Sequence, residues 1–162
     1  MKRIILMRHG EARNVRGSES DRDRPLTDSG KVFVEDVAAQ VVDEGWQPQH
    51  IVCSSAVRTR ETLSVFQGKM TTEVETVFSD YFYLGSLDHI VDEVAGLASD
   101  IATILLVGHN PGWSEAITAL SGKFYGLRPG EAALLSMVEP DWANAISSLG
   151  NWQFEKCLKS RS

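Results

Sequence analysis

An apolar run that stops abruptly at a cation and an imidazole is the strongest constraint in this chain: Ile4-Ile5-Leu6-Met7 leads straight into Arg8-His9-Gly10-Glu11. The run reads as a buried strand, and Arg8 and His9 stand where that strand gives way to a loop. In open α/β sheets, ligand sites lie just beyond the carboxyl ends of strands. A strand that ends in reactive polar residues is therefore a candidate active site. Taken alone, the segment fits equally well a buried strand followed by a solvated loop with an incidental histidine.

The same alternation continues along the chain. Residues 11–25 are polar, rich in Ser, Asp and Arg, and without periodicity, and loops of this length in compact domains are often functional. Their Arg13, Arg16, Arg22 and Arg24 are available to an anionic partner, although alternating charge in a solvated loop explains them too. Thr27 is placed to cap a helix in which Val32, Phe33, Val37, Ala38, Val41 and Val42 recur at helical spacing before Gly45. The spacing predicts strands at 2–7, 49–53, 73–78 and 101–107, with helices over 56–66 and after Ser86. Asn110 and Pro111 read as the cap and first residue of a fourth helix running to Leu120, and residues 132–138 and 152–158 as late strands. Strands alternating with helices imply an α/β fold, a three-layer α/β/α sandwich with a mainly parallel central sheet. One domain over residues 1–162 is expected.

Composition narrows the function. A content of 43% hydrophobic and 23% charged residues is that of an ordinary soluble globular protein. A net charge of -6 argues against a nucleic-acid or membrane-surface binder. Met1-Lys2-Arg3 does not open a signal peptide, because Arg8, His9 and Glu11 interrupt the apolar segment too early. No apolar run approaches the roughly 18 residues of a membrane span. Cys53 and Cys157 suggest no disulfide scaffold, so a reducing cytoplasm is the expected location.

Reactive residues follow three of the predicted strands: Arg8-His9 the first, Arg58 the second, and His109 the central one. In a parallel sheet these strand ends share one edge. Two guanidiniums offer permanently charged forks that match phosphate oxygens, and backbone N–H groups of the helix after Asn110 would add an anion-binding terminus. Two Arg and two His without a carboxylate cluster suit a phosphoryl group held without a metal or other cofactor. Mg²⁺ would want carboxylate oxygens, and zinc more His or Cys ligands.

Four blocks in order, Arg8-His9-Gly10, Arg24-Pro25-Leu26-Thr27-Asp28-Ser29-Gly30, Ser54-Ser55-Ala56-Val57-Arg58-Thr59-Arg60-Glu61-Thr62 and Gly108-His109-Asn110-Pro111, resemble the histidine phosphatase superfamily. The small size, the polar loop before Arg-Pro-Leu-Thr and the Gly-His-Asn-Pro block are most similar to its SixA-type phosphohistidine phosphatase branch. The resemblance implies a phosphoglycerate mutase-like fold. It also implies that His9 is the nucleophile and forms a covalent phosphohistidine, that Arg8 and Arg58 grip the phosphoryl oxygens, and that His109 completes the pocket as a donor. Asn110 and Asn14 are further candidates for phosphate contact. A hydrogen bond to the other ring nitrogen would fix the His9 tautomer, with a backbone carbonyl near Gly10 as the expected partner.

One departure bears on the substrate. Many members of the superfamily carry a carboxylic acid before the third helix, whereas this chain reads Tyr81-Phe82-Tyr83-Leu84-Gly85 with only Asp80 and Asp88 nearby. An alkoxide leaving group needs an acid, whereas an imidazole leaves more readily. The absence therefore favours a phosphohistidine, such as that of a histidine-phosphotransfer domain, over a sugar phosphate. Glu11 is the best substitute acid. A small-molecule phosphomonoesterase and a non-catalytic phosphoprotein-binding relative are the rival readings. Cys53, His50, His89, Trp113, Trp142 and Trp152 are expected to serve packing or surface roles.

Overall fold

The computed structural model describes residues 1–161. Its centre is a six-stranded sheet ordered β3-β2-β4-β1-β5-β6, formed by β1 (Lys2–Arg8), β2 (His50–Ser54), β3 (Glu75–Ser79), β4 (Thr103–Gly108), β5 (Ala132–Met137) and β6 (Gln153–Leu158). β3, β2, β4 and β1 run parallel, and β5 and β6 add antiparallel pairings at one edge. The sheet is thus mixed but mainly parallel, as expected of the α/β class.

The apolar runs are continuous because both faces are covered. Successive strand residues point to opposite faces, and the core divides accordingly. Ile4, Leu6, Ile104 and Leu106 join one cluster, while Ile5, Met7, Leu105 and Val107 join the other. The first cluster is covered by α3 (Leu87–Val94), α4 (Gly112–Ser121) and α5 (Trp142–Ser147), and the second by α1 (Asp28–Asp43) and α2 (Val57–Gln67). Trp113, Trp142 and Trp152 are buried in the first cluster, each donating its indole N–H to a backbone carbonyl. Among the described residues, no helix is long and apolar enough to cross a membrane.

Local signals behave as the sequence suggests at α1, where the Thr27 side chain accepts from the Gly30 N–H, a cap worth about 1 kcal/mol. Ser86 and His89 close a reciprocal capping box on α3. Two features differ from expectation. α5 falls in a stretch without a predicted element, since six residues are too few to show a period. At α4 the cap is Pro111 and the helix starts at Gly112, one residue later than the Asn-Pro signal implies.

Candidate active site

Parallel pairing brings three strand ends together. Arg8 lies in register with Gly108, and Cys53 with Val107, so the residues after β1, β2 and β4 share one edge of the sheet. Two glycines permit the approach. A Cβ on Gly108 would lie 2.4 Å from the Trp113 ring, and one on Gly112 only 1.8 Å from the Gly85 carbonyl.

His9 is held from both sides by backbone. Its N–H donates to the Gly108 carbonyl at 3.1 Å, and its own carbonyl accepts from the Gly130 N–H at 2.8 Å. Nδ1 lies 2.7 Å from the Gly10 carbonyl. A carbonyl only accepts, so Nδ1 carries the ring proton and Nε2 keeps its lone pair. Arg58 directs its Nε–H toward Nε2 at 3.4 Å. Thr62 joins the two segments, accepting from the Gly10 N–H at 2.9 Å and donating to the Arg58 carbonyl at 2.7 Å.

Burial sets the charge of the imidazoles. It is the main cause that lowers His9 to about 4, with the cationic Arg58, Arg8 and Arg24 adding to it and the Gly10 hydrogen bond opposing. His109 falls to about 3, first through burial and then through repulsion from His9 and Arg58. Both rings are neutral at pH 7. Their centroids are 5.2 Å apart, and His109 Nε2 pairs with the Ser54 hydroxyl at 2.8 Å. Arg8 stays charged, although burial and then Arg58 depress it. Its NH1 donates to the Leu127 carbonyl at 3.0 Å.

These side chains line a cleft of about 260 Å³, together with Glu11, Ala12, Arg24, Leu84, Asn110 and Pro129. Among the buried side-chain polar atoms of the described residues, Arg8 Nε, His109 Nδ1 and Ser79 Oγ have no hydrogen-bond partner. Two of those three atoms belong to cleft residues. Three guanidiniums, two neutral imidazoles and unpartnered nitrogens suit a tetrahedral oxyanion. No group of three or more His, Cys, Asp and Glu is gathered as a metal site would require among the described residues.

The other expected residues divide. Glu11 is at the rim, its Oε1 accepting from Thr27 Oγ1 at 2.7 Å and Ser29 Oγ at 3.1 Å. Of the four loop arginines, only Arg24 lines the cleft. Asn110 lines it too, but its side chain is committed to protein partners: Nδ2 donates to the Leu127 carbonyl, and Oδ1 accepts from the Ser114 N–H and hydroxyl. Asn14 is exposed and is not among the residues that line the cleft. Pro111 has no N–H, and those of Trp113, Ser114 and Glu115 donate to His109, Asn110 and Pro111. Cys53 is a packed strand residue whose thiol burial pushes up to about 12.

Sequence reasoning missed the partners of Arg58. A single 3-10 turn at Asp21–Asp23 delivers Asp21, whose carbonyl accepts from Arg58 NH1 at 2.8 Å and whose carboxylate accepts from NH2 at 3.1 Å. The same carboxylate accepts from the Tyr83 hydroxyl and from Arg24 Nε. These donors, Tyr83 foremost, hold the carboxyl near 2 against the opposing effect of desolvation. The Asp-x-x-Arg spacing of Asp21 and Arg24 was the only local hint.

Known proteins resemble this chain in sequence and in fold. The profile of the histidine phosphatase superfamily (branch 1) matches residues 4–78. An uncharacterised chloroplastic protein of Arabidopsis thaliana is 36% identical over 165 residues, 95% of this chain and 76% of that protein. The SixA structure from Nakamurella multipartitia superposes with a TM-score of 0.79 at 25% identity, covering 99% of this chain and 97% of its own. A protein histidine phosphatase SixA complexed with tungstate matches in fold, with a TM-score of 0.81 at 19% identity and 97% and 96% coverage. The chain belongs to the histidine phosphatase superfamily, on its SixA-type branch.

Proposed function

We infer that residues 1–162 act as one histidine phosphatase domain that hydrolyses phosphohistidine through a phosphorylated His9, without a metal. The observation that carries this reading is the His9 tautomer, with Nδ1–H on the Gly10 carbonyl and Nε2 bearing a lone pair at the cleft. In the first step Nε2 attacks phosphorus as the bond from phosphorus to the substrate nitrogen breaks. A substrate imidazole protonated on its far nitrogen departs neutral and needs no acid. In the second step water attacks phosphorus and the P–Nε2 bond breaks. The proton retained on Nδ1 keeps the phosphorylated ring cationic, so His9 leaves as neutral imidazole. Arg8 and Arg58 offset the charge of the transferring group, and His109 offers a further donor. The tungstate carried by the SixA relative, a tetrahedral oxyanion, supports a phosphoryl site in the same fold.

The lining favours a phosphoramidate substrate. Glu11 is the single carboxylate among the residues named for the cleft, and Leu84 stands in the segment where other members carry an acid. The two free cysteines, one buried and one partly buried, fit a reducing, cytoplasmic setting. A second reading, a small-molecule phosphomonoesterase, rests on Glu11 serving as the acid from its hydroxyl-braced position.

One comparison separates them. The protein treated with EDTA is offered a phosphohistidine-bearing protein and a panel of phosphomonoesters, with His9→Ala as blank. Faster loss of phosphohistidine, abolished in the blank, is the expected outcome. Faster ester turnover, sensitive to Glu11→Gln, would install the second reading. Binding of the phosphoprotein with no turnover, unaltered in His9→Ala, would leave a binding protein.

A further inference from the structure

A second cleft adjoins the catalytic one and has no part in the chemistry above. Its volume is about 390 Å³, and Glu11 and Pro129 line both clefts, so the two share a wall. Phe33 lines it, with its ring packed against Gly130, where an added Cβ would lie 2.6 Å away. Arg128 and Lys159 supply two exposed cations.

The charges in this second cleft are not balanced against each other. Its two carboxylates are turned to protein donors. Glu11 accepts from Thr27 and Ser29, and the buried Glu131 accepts from the Arg128 backbone N–H and the Tyr125 hydroxyl. Neither the Arg128 guanidinium nor the Lys159 ammonium forms an ion pair among the described residues, although other arginines of the chain, Arg13, Arg22, Arg24, Arg58 and Arg161, are paired. Two exposed cations free of ion pairs, beside carboxylates already engaged by protein donors, leave this cleft able to pair with an acidic partner.

The lining of the catalytic cleft carries a complementary signal. Leu84 lines it with 65% of its surface exposed, and it is the single non-glycine residue with positive φ, at +57°, among the described residues. That left-handed conformation is strained for a leucine. A large apolar side chain held out to solvent there gains from being covered.

We propose that the second cleft, together with the exposed Leu84 of the catalytic cleft, is the docking surface for an acidic protein substrate. An acidic side chain of that substrate pairs with Arg128 and Lys159 while its phosphohistidine occupies the catalytic cleft. The proposal rests on the phosphohistidine reading and names what lies beyond the phosphoryl group. A phosphoryl group on a small carrier fills the first cleft alone. A phosphoryl group on a protein brings a surface that must lie over the second.

The test compares two substrates in the full chain: a phosphohistidine-bearing acidic protein and the small donor phosphoramidate. Arg128→Glu/Lys159→Glu is expected to lower kcat/KM for the protein by about tenfold or more at low salt, chiefly through KM, and to leave phosphoramidate turnover unchanged. The wild-type rate on the protein should fall with added salt more steeply than the rate on phosphoramidate. Equal losses on both substrates, or no loss on either, would overturn the docking surface. Absence of turnover of both substrates by the wild-type protein would instead strike the phosphohistidine reading itself.

Discussion

The two walls of the catalytic cleft are built from opposite physical materials. The inner wall, His9, Arg58 and His109, is buried and fixed by backbone contacts from β1, β4 and the segment around Gly130. The outer wall is the 11–25 loop, tied down by ion pairs at exposed or half-exposed sites: Arg13 with Glu19, Arg22 with Asp80, and Arg24 with Asp21. Burial strips water from the imidazoles and keeps them neutral, which a nucleophilic histidine requires. Exposed ion pairs are individually weak and screened by salt. Chemistry is therefore set by the rigid wall, and the outer wall is the side that an anionic substrate can compete with. Asp21 stands at the junction, exposed itself yet bonded to the buried Arg58 through two contacts.

The contrast predicts a graded series. Arg58→Ala should lower kcat/KM by about a hundred- to a thousandfold, because it removes donors aimed at developing charge. Asp21→Ala should cost far less, about tenfold, since Arg58 keeps its charge and its contact to the Asp21 backbone. Equal losses in steady-state rates would erase the distinction between the walls. Gly112→Ala, which forces a Cβ onto the Gly85 carbonyl, should destabilise the fold by about 2–3 kcal/mol in urea unfolding. An unchanged midpoint would show that the inner wall yields more easily than its contacts imply.

The pH dependence follows from the neutral imidazoles. His9 and His109, near 4 and 3 in the fold, have an ordinary value of 6.5. Between those values the unfolded chain binds the extra protons, so stability rises with pH. The contribution is complete above about 6.5 and is lost as pH falls from there toward 4 and 3. Urea melts from pH 7 to 4 should show that loss, reduced in His9→Ala. Imidazole ¹⁵N spectra of the folded protein should keep the neutral His9 signal well below pH 6. Titration near 6.5 in the fold would contradict the burial argument.

The inner wall was legible in the sequence for the same reason that it is rigid. Arg8 ends β1, while His9, Arg58 and His109 follow β1, β2 and β4, and the position of a strand end on a parallel sheet is fixed by topology. Even the Gly10 carbonyl, one residue from His9, was within reach of local reasoning. The outer wall was not legible. The 3-10 turn that carries Asp21 is held by partners remote in sequence, Arg58, Tyr83, Ser55 and Asp80, and no periodicity encodes such contacts. The side-chain partners of Asn110, Ser114 and Leu127, are likewise set by the fold and not by any local pattern.

The central claim is that His9 attacks through Nε2 because the Gly10 carbonyl holds the proton on Nδ1. The direct measurement is to quench the reaction with a phosphohistidine substrate in alkali and locate the phosphoryl group on His9 by ³¹P NMR and peptide mass spectrometry. The account predicts an acid-labile phosphoryl group on Nε2, absent from His9→Ala. A phosphoryl group on Nδ1, or full turnover in His9→Ala, would contradict it.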